Sequence, residues 1–364
     1  AARLLRLPTL LGYLAAGVVV GPHTFELISN VDAVHTLAEL GVVLLLFAVG
    51  VEISPGDVLR LGPRVVLAGI GQLLATGAAG FLLGLALGWT FEQSILLSFV
   101  ISLSSTMVVL KSLTDRGELQ TIHGRVMTGM LVMQDLAFVP MIAIVPALAG
   151  NGGSLAQDIA VGGLKAVVVL ALVFIAGGRV IPWLLRRAAG FGTQESFIVT
   201  VVAITVGAAA ATQAAGLSAA LGAFAAGLTI SVSDWTGHRA LQEVMPLRDI
   251  FAAMFFASLG MLLNPEFLTN NLGLVSIVVV ASVLLKFGVV SGMVRLVGYL
   301  PRTAILAGVG MIQIGEFSFI LAGTAEVEGV VDEAFFPLVV VAAVTTMAIT
   351  PGAIAASTTA IRRL

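Results

Sequence analysis

Residues 124–150 read GRVMTGMLVMQDLAFVPMIAIVPALAG. After Arg125 the stretch is apolar and long enough to cross a bilayer as a helix, except for Gln134 and Asp135 at its centre. A carboxylate at that depth costs about 2.5–3.5 kcal/mol on insertion scales, so it marks a site or a partner. Pro140 and Pro146 lie beyond it, and each removes a backbone donor from the outer half of the helix.

The rest of the chain is equally committed to lipid. Of 364 residues, 59% are hydrophobic and only 10% charged, and mean hydropathy is +1.10. A soluble domain carries about 25% charged residues. There is no cysteine, so neither disulfides nor cysteine metal sites arise, and the four histidines are scattered. A net charge of −2 gives no case for nucleic acid. No nucleophile–base set or metal cluster argues for an enzyme. The start, AARLLRLP, has neither an initiator Met nor a signal-peptide pattern and reads as the beginning of a fragment.

Breaking the chain at charged, Pro-rich and Gly-rich punctuation predicts twelve spans. They run over 8–22, 32–53, 63–89, 92–113, 121–148, 160–187, 194–213, 216–232, 247–263, 273–299, 303–325 and 334–358. Alternating them puts all the arginines on one set of loops, joined by Lys111. The opposite loops hold acids and only Lys165. The positive-inside rule makes the arginine side cytoplasmic, with the C-terminus there as well.

One lysine fits neither side. Lys286 lies midway along the tenth span, at the depth of Asp135 in the fifth and Glu316 in the eleventh. The stretch SLSST, Ser102 to Thr106, sits past the middle of the fourth span and meets them. Polar groups at one depth on separate helices suggest a common site. The plainer reading is an ion pair that stitches the bundle together, and it weighs more for Lys286 than for Asp135. Ser and Thr in the fourth span, and Gly308, Gly310 and Gly315 in the eleventh, mark two helices for interruption. Broken helices at the midplane build ion sites in transporters. Their corresponding positions, about 200 residues apart, imply two inverted repeats joined by the sixth span.

These residues resemble a known family. LLGYLAAGVVVGP, LAELGVVLLLFAVGVEI, SLSSTMVVL, QDLAFVPMIAIVPAL, GLSAALGAFAAGLTIS, HRALQEVMPLRDIFAAMFFASLGM and GEFSFIL are similar to the monovalent cation:proton antiporter family 2, and within it to Kef-type potassium efflux systems. The resemblance covers nearly the whole chain in order. It implies an all-α, polytopic sodium/proton-antiporter fold of thirteen helices, lacking the first here, with crossed broken helices. It implies a core of 62–149 with 273–360, a dimerisation part of 1–61 with 194–264, and a linking helix at 160–187. It also implies elevator-type motion, a homodimer in a bacterial inner membrane, and a C-terminal nucleotide-binding regulatory domain that this stretch does not include.

The family's essential carboxylate maps onto Asp135 and its helix-ten lysine onto Lys286. The pair Gln134–Asp135 follows the Kef-like pattern and favours potassium over sodium. The expected mechanism has Asp135 bind a proton or a cation, never both, since desolvation disfavours the charged carboxylate and a cation restores it. Gln134, Thr106, Ser105 and Gln313 are the candidate ligands or water-holders, Lys286 the charge partner, and Glu316 a cap on the broken helix ends. The cation and proton are substrates, and no cofactor is called for. A sodium/proton antiporter of the same fold, a ligand-gated potassium channel and a static receptor stay open as alternatives.

Overall fold

The computed structural model describes residues 9–22, 24–25, 27–28, 30–52, 61–149, 155–190, 193–215, 217–231, 250–261, 265–332 and 334–362. Arg3, Arg6, Arg60, Arg239, Arg248 and Arg363, Glu26 and Glu333, His23 and His238, and the segment 238–249 of the motif HRALQEVMPLRDIFAAMFFASLGM lie outside the described residues. Among the described residues, all regular structure is helical.

In chain order the helices are α1 (Thr9–Val20), α2 (Val31–Glu52), α3 (Pro63–Ala86), α4 (Phe91–Ser102), α5 (Thr106–Asp115), α6 (Ile122–Leu148), α7 (Leu155–Gly190), α8 (Gln194–Ala214) and α9 (Ala219–Ser231). There follow α10 (Ile250–Met261), α11 (Pro265–Asn270), α12 (Leu272–Leu296), α13 (Pro301–Gly310), α14 (Phe317–Val327) and α15 (Phe335–Arg362). Among the described residues, six spans are long and apolar enough to cross a membrane: α3, α4 with α5, α6, most of α8, α12 and most of α15. Shorter apolar helices add to them. The fourth and eleventh predicted spans are both interrupted, at 103–105 and at 311–316.

Local chemistry explains the boundaries. Pro63 opens α3 and Pro301 opens α13, where a missing N–H leaves no helical bond unmade. Thr90 and Gln93 form a reciprocal capping box at the start of α4. Gly88 and Gly298, with φ of 79° and 94°, make the left-handed turns that end α3 and α12. The interval from Gly88 to Gly298 is also the interval from Thr90 to Leu300, the N-cap positions of the two broken helices. Thus α3–α6 and α12–α15 are two versions of one pattern: a long helix, a glycine turn, a broken helix and a final long helix.

The chain divides into two compact units. One comprises Ala1–Gly12, Arg60–Met141 and Asn264–Leu364, and the other comprises Tyr13–Leu59 and Ile142–Leu263. In the first, Ala68, Val109, Leu113, Met127, Met130, Val290, Val294 and Ala307 form a buried cluster. In the second, Phe47, Ile181, Leu185, Phe197 and Ile230 pack around Ala223 and Ala226.

Lipid supplies no hydrophobic force between helices, so close approach of small residues carries the packing instead. The seam between α2 and α9 shows it. A Cβ on Gly227 would collide with the Phe47 carbonyl and one on Gly50 with the Phe224 carbonyl, both backbone groups that cannot step aside. Gly207 on α8 faces open space. Gly227→Ala is therefore expected to cost about 1–3 kcal/mol through overpacking and to lower the thermal unfolding midpoint of the detergent-purified protein. Gly207→Ala should leave that midpoint unchanged or raise it slightly.

Candidate functional site

The two interrupted helices cross in the first unit, and their unwound segments run antiparallel. The Gly315 N–H donates to the Leu103 carbonyl at 3.0 Å, the Gln313 amide to the Ser105 carbonyl at 3.4 Å, and the Ser318 hydroxyl to the Val100 carbonyl at 2.8 Å. Each step forward on one segment is met by a step back on the other. The crossing needs a glycine at 315, because a Cβ there would stand 2.6 Å from the Ser104 carbonyl oxygen.

A break frees backbone groups that lipid cannot satisfy, and side chains take them up. Ser104 N–H donates to the Gln134 side-chain oxygen Oε1 at 2.7 Å. Ser102 C=O accepts from Gln72 at 3.0 Å, and the Ser104 hydroxyl donates to the Met311 carbonyl at 3.3 Å. On the other side, Ile314 N–H donates to the Thr346 hydroxyl at 3.1 Å. Ser105, the N-cap of α5, accepts from Val108 N–H through its hydroxyl. Gln313 also accepts from Thr350 at 3.3 Å.

The charges sort by helix polarity. Lys286 is fully buried, and its ammonium donates to the Ile101 and Leu103 carbonyls at 2.8 and 2.7 Å, at the C-terminal end of α4. A cation belongs there, because the last carbonyls carry partial negative charge. Asp135 stands at the opposite kind of end. Thr106, the first residue of α5, donates its hydroxyl to the carboxylate with both oxygens at 3.2 Å, where a helix N-terminus favours an anion. Asp135 is 9% exposed. Glu316 occupies the N-cap position of α14, another helix N-terminus, and is buried, but its side chain makes no capping hydrogen bond.

All seven sequence-predicted residues thus lie in or against the crossing, with different attachments. Thr106 is on Asp135. Gln134, Ser105 and Gln313 hold backbone groups of the breaks, and Lys286 holds the end of α4. Sequence reasoning passed over Gln72, Thr346 and Thr350. Gln72 had a usable signal, a lone amide in the middle of the apolar span LAGIGQLLATGAAG. The threonines had none, since Thr is common in membrane helices.

At the start of α6, between the membrane spans, a second polar cluster fixes the helix that carries Asp135. Arg116 donates to Glu118 through Nε and Nη2 at 3.2 and 3.3 Å, and His123 Nε2 lies 3.3 Å from the same carboxylate. Thr121 accepts from Gly124 N–H at 3.1 Å. Burial pushes the Glu118 carboxyl up, but hydrogen bonds and charge from Arg116 and His123 outweigh it, and the net shift is downward. A depressed carboxyl adds stability above its unfolded value, and that stability is lost as pH falls through the folded value.

This architecture is that of a polytopic membrane protein with a broken-helix transporter fold. The chain belongs to the family described as sodium/hydrogen exchanger, transmembrane, whose model matches residues 1–359. It is 36% identical over 328 residues to K(+) efflux antiporter 6 of Arabidopsis thaliana, covering 87% of this chain and 54% of that protein. It is 31% identical over 350 residues to the glutathione-regulated potassium-efflux system protein KefC of Enterobacter sp. (strain 638), covering 95% of this chain and 56% of that one. The chain therefore spans little more than half the length of these relatives. Its fold is similar to that of the sodium proton antiporter MjNhaP1 from Methanocaldococcus jannaschii, with a TM-score of 0.69 at 12% identity over 97% of this chain and 91% of that one.

Two outcomes follow for stability. Thr346→Val leaves the buried Ile314 N–H without its acceptor and should lower the unfolding midpoint by the equivalent of about 1–3 kcal/mol, whereas Thr346→Ser, which keeps the hydroxyl, should be close to neutral. Glu118→Gln should lower the midpoint at neutral pH. It should also flatten the acid-side decline in stability expected of the wild type below the ordinary glutamate range. Thermal melts from pH 3 to pH 8 would check both.

Proposed function

We propose that the chain is the membrane part of a secondary antiporter that exchanges a monovalent cation, potassium by preference, for protons, with Asp135 taking one ion or the other. The observation that carries this reading is Asp135 itself. It is a nearly buried carboxylate at the N-terminal end of a half-helix, with the Thr106 hydroxyl donating to it. Thr106 and the helix end favour the anion, and burial disfavours it. A proton or a cation each relieves the burial penalty, and both compete for the same oxygens. Binding of one then requires release of the other, which couples the two gradients.

Exchange also needs the site to face each side in turn. The antiparallel crossing supports alternating access, because reversing such an arrangement presents similar surroundings to either side. Movement of the elevator type, a homodimer, and a cytoplasmic C-terminus in a bacterial inner membrane complete the proposal, and no cofactor is needed. Potassium is favoured by the Kef-like sequence pattern to which Gln134–Asp135 belongs and by relatives whose names specify potassium efflux.

The test is proton movement in liposomes holding the purified chain, followed with a pH-sensitive dye while KCl, NaCl or choline chloride is added and voltage is clamped. Wild-type protein should move protons on addition of KCl, and Asp135→Asn should abolish the response at unchanged folding. Cation flux without proton movement would instead mean a channel, and a larger response to NaCl would reassign the ion.

A further inference from the structure

Gln72 on α3 is fully buried, and the exchange mechanism above has no use for it. Its amide nitrogen donates to the Ser102 carbonyl at 3.0 Å and to the Thr76 hydroxyl at 3.2 Å, and its oxygen accepts from Gln134 Nε2 at 2.6 Å. Gln134 Oε1 in turn accepts from Ser104 N–H at 2.7 Å. We propose that Gln72 is a positioning residue that locks Gln134 as a brace of the α4–α5 break, rather than a cation ligand, and thereby sets where Thr106 meets Asp135. The proposal rests on the antiport reading for its functional consequence.

The polarity of the chain of bonds is the argument. An amide offers one accepting oxygen and one donating nitrogen. Ser104 presents only an N–H to it and Ser102 only a carbonyl, so backbone groups fix both ends. Turning Gln134 alone would set its nitrogen against the Ser104 N–H and its oxygen against the Gln72 oxygen. Turning both amides would set the Gln72 oxygen against the Ser102 carbonyl. One orientation satisfies every contact, and it is the one observed.

That orientation leaves Gln134 poorly placed to bind a cation. Its nitrogen faces Gln72, and an ion drawing on its oxygen would sit beside the positive end of the Ser104 N–H. Gln134 and Asp135 are neighbours on α6 but face different partners, α3 and the break in one case and Thr106 in the other. The second break shows why Gln72 is needed. There Thr346 accepts from Ile314 N–H while donating to its own helix at Ala343 C=O, so a short side chain is held by its own turn. Gln134 is longer and has more rotamers to lose, and Gln72 fixes it from outside. From Ser104 the effect passes through the cap residue Ser105 to Thr106.

The experiment is a double-mutant cycle with Gln72→Ala, Gln134→Ala and the pair, using the purified chain in liposomes. The readouts are the cation concentration for half-maximal proton movement, the maximal rate, and the potassium-to-sodium preference. Each single variant should raise the half-saturating concentration by about tenfold, the scale of one buried hydrogen bond. The double variant should add nothing further, and the ion preference should hold throughout. Gln72→Glu keeps the acceptor for Gln134 but loses the donor to Ser102, and should fall between wild type and Gln72→Ala; it carries the test if the alanine variant does not fold.

Additive losses, or a changed ion preference in Gln134→Ala alone, would make Gln134 a ligand and overturn the proposal. So would a Gln72→Ala protein that loses thermal stability and maximal rate but keeps its half-saturating concentration. If the wild type shows no cation-driven proton movement, the antiport reading fails instead. The brace is then decided by the same cycle read in unfolding midpoints, where non-additive losses support it and additive ones reject it.

Discussion

A chain in lipid must satisfy its own backbone, and this one interrupts two helices in the middle of their spans. Everything near the crossing follows from that constraint. Unwinding at 103–105 and 311–316 frees donors and acceptors where water is absent. The two breaks answer partly with each other, through Gly315 and Leu103, and partly with polar side chains from α3, α6, α12 and α15. The buried polar residues of this unit are therefore first of all a scaffold.

The same constraint decides where charge can sit. A broken helix exposes a positive and a negative dipole end within the bilayer, and each end stabilises an ion of opposite sign. Lys286 takes the C-terminal end of α4, and Asp135 lies at the N-terminal start of α5. Each charge is thus matched first to a helix end. Lys286 Nζ is held by two backbone carbonyls, at Ile101 and Leu103.

How much of this could be read beforehand follows from what sequence encodes. The breaks were legible because SLSST and the glycines at 308, 310 and 315 are poor continuous membrane helix in a chain otherwise rich in Leu, Val and Ala. The depth shared by Asp135, Lys286 and Glu316 was legible from simple counting along the spans. Direction around the helix was not. Counting places Lys286 level with Asp135, but only the packed structure shows its ammonium on the end of α4. Gln134 is a similar case: it adjoins Asp135 in sequence, but neighbours on a helix point about 100° apart, and its amide meets Ser104 and Gln72. Gln72 and Thr346 went unread because a single neutral polar residue in a membrane helix is usually unremarkable, and their importance comes from what lies opposite.

The two halves share a frame but not its fittings. Position for position, Thr106 corresponds to Glu316, as Gly88 does to Gly298 and Ser104 to Ile314. Where the first half has a hydroxyl at a half-helix N-terminus and a carboxylate on the next long helix, the second has the carboxylate at the half-helix itself. Where the first braces its break with two amides in series, the second uses one threonine. A strictly repeated arrangement would create two equal sites related by the crossing. The divergence leaves, among the described residues, one Thr–Asp constellation, on α5 and α6, beside a crossing whose unwound segments run antiparallel.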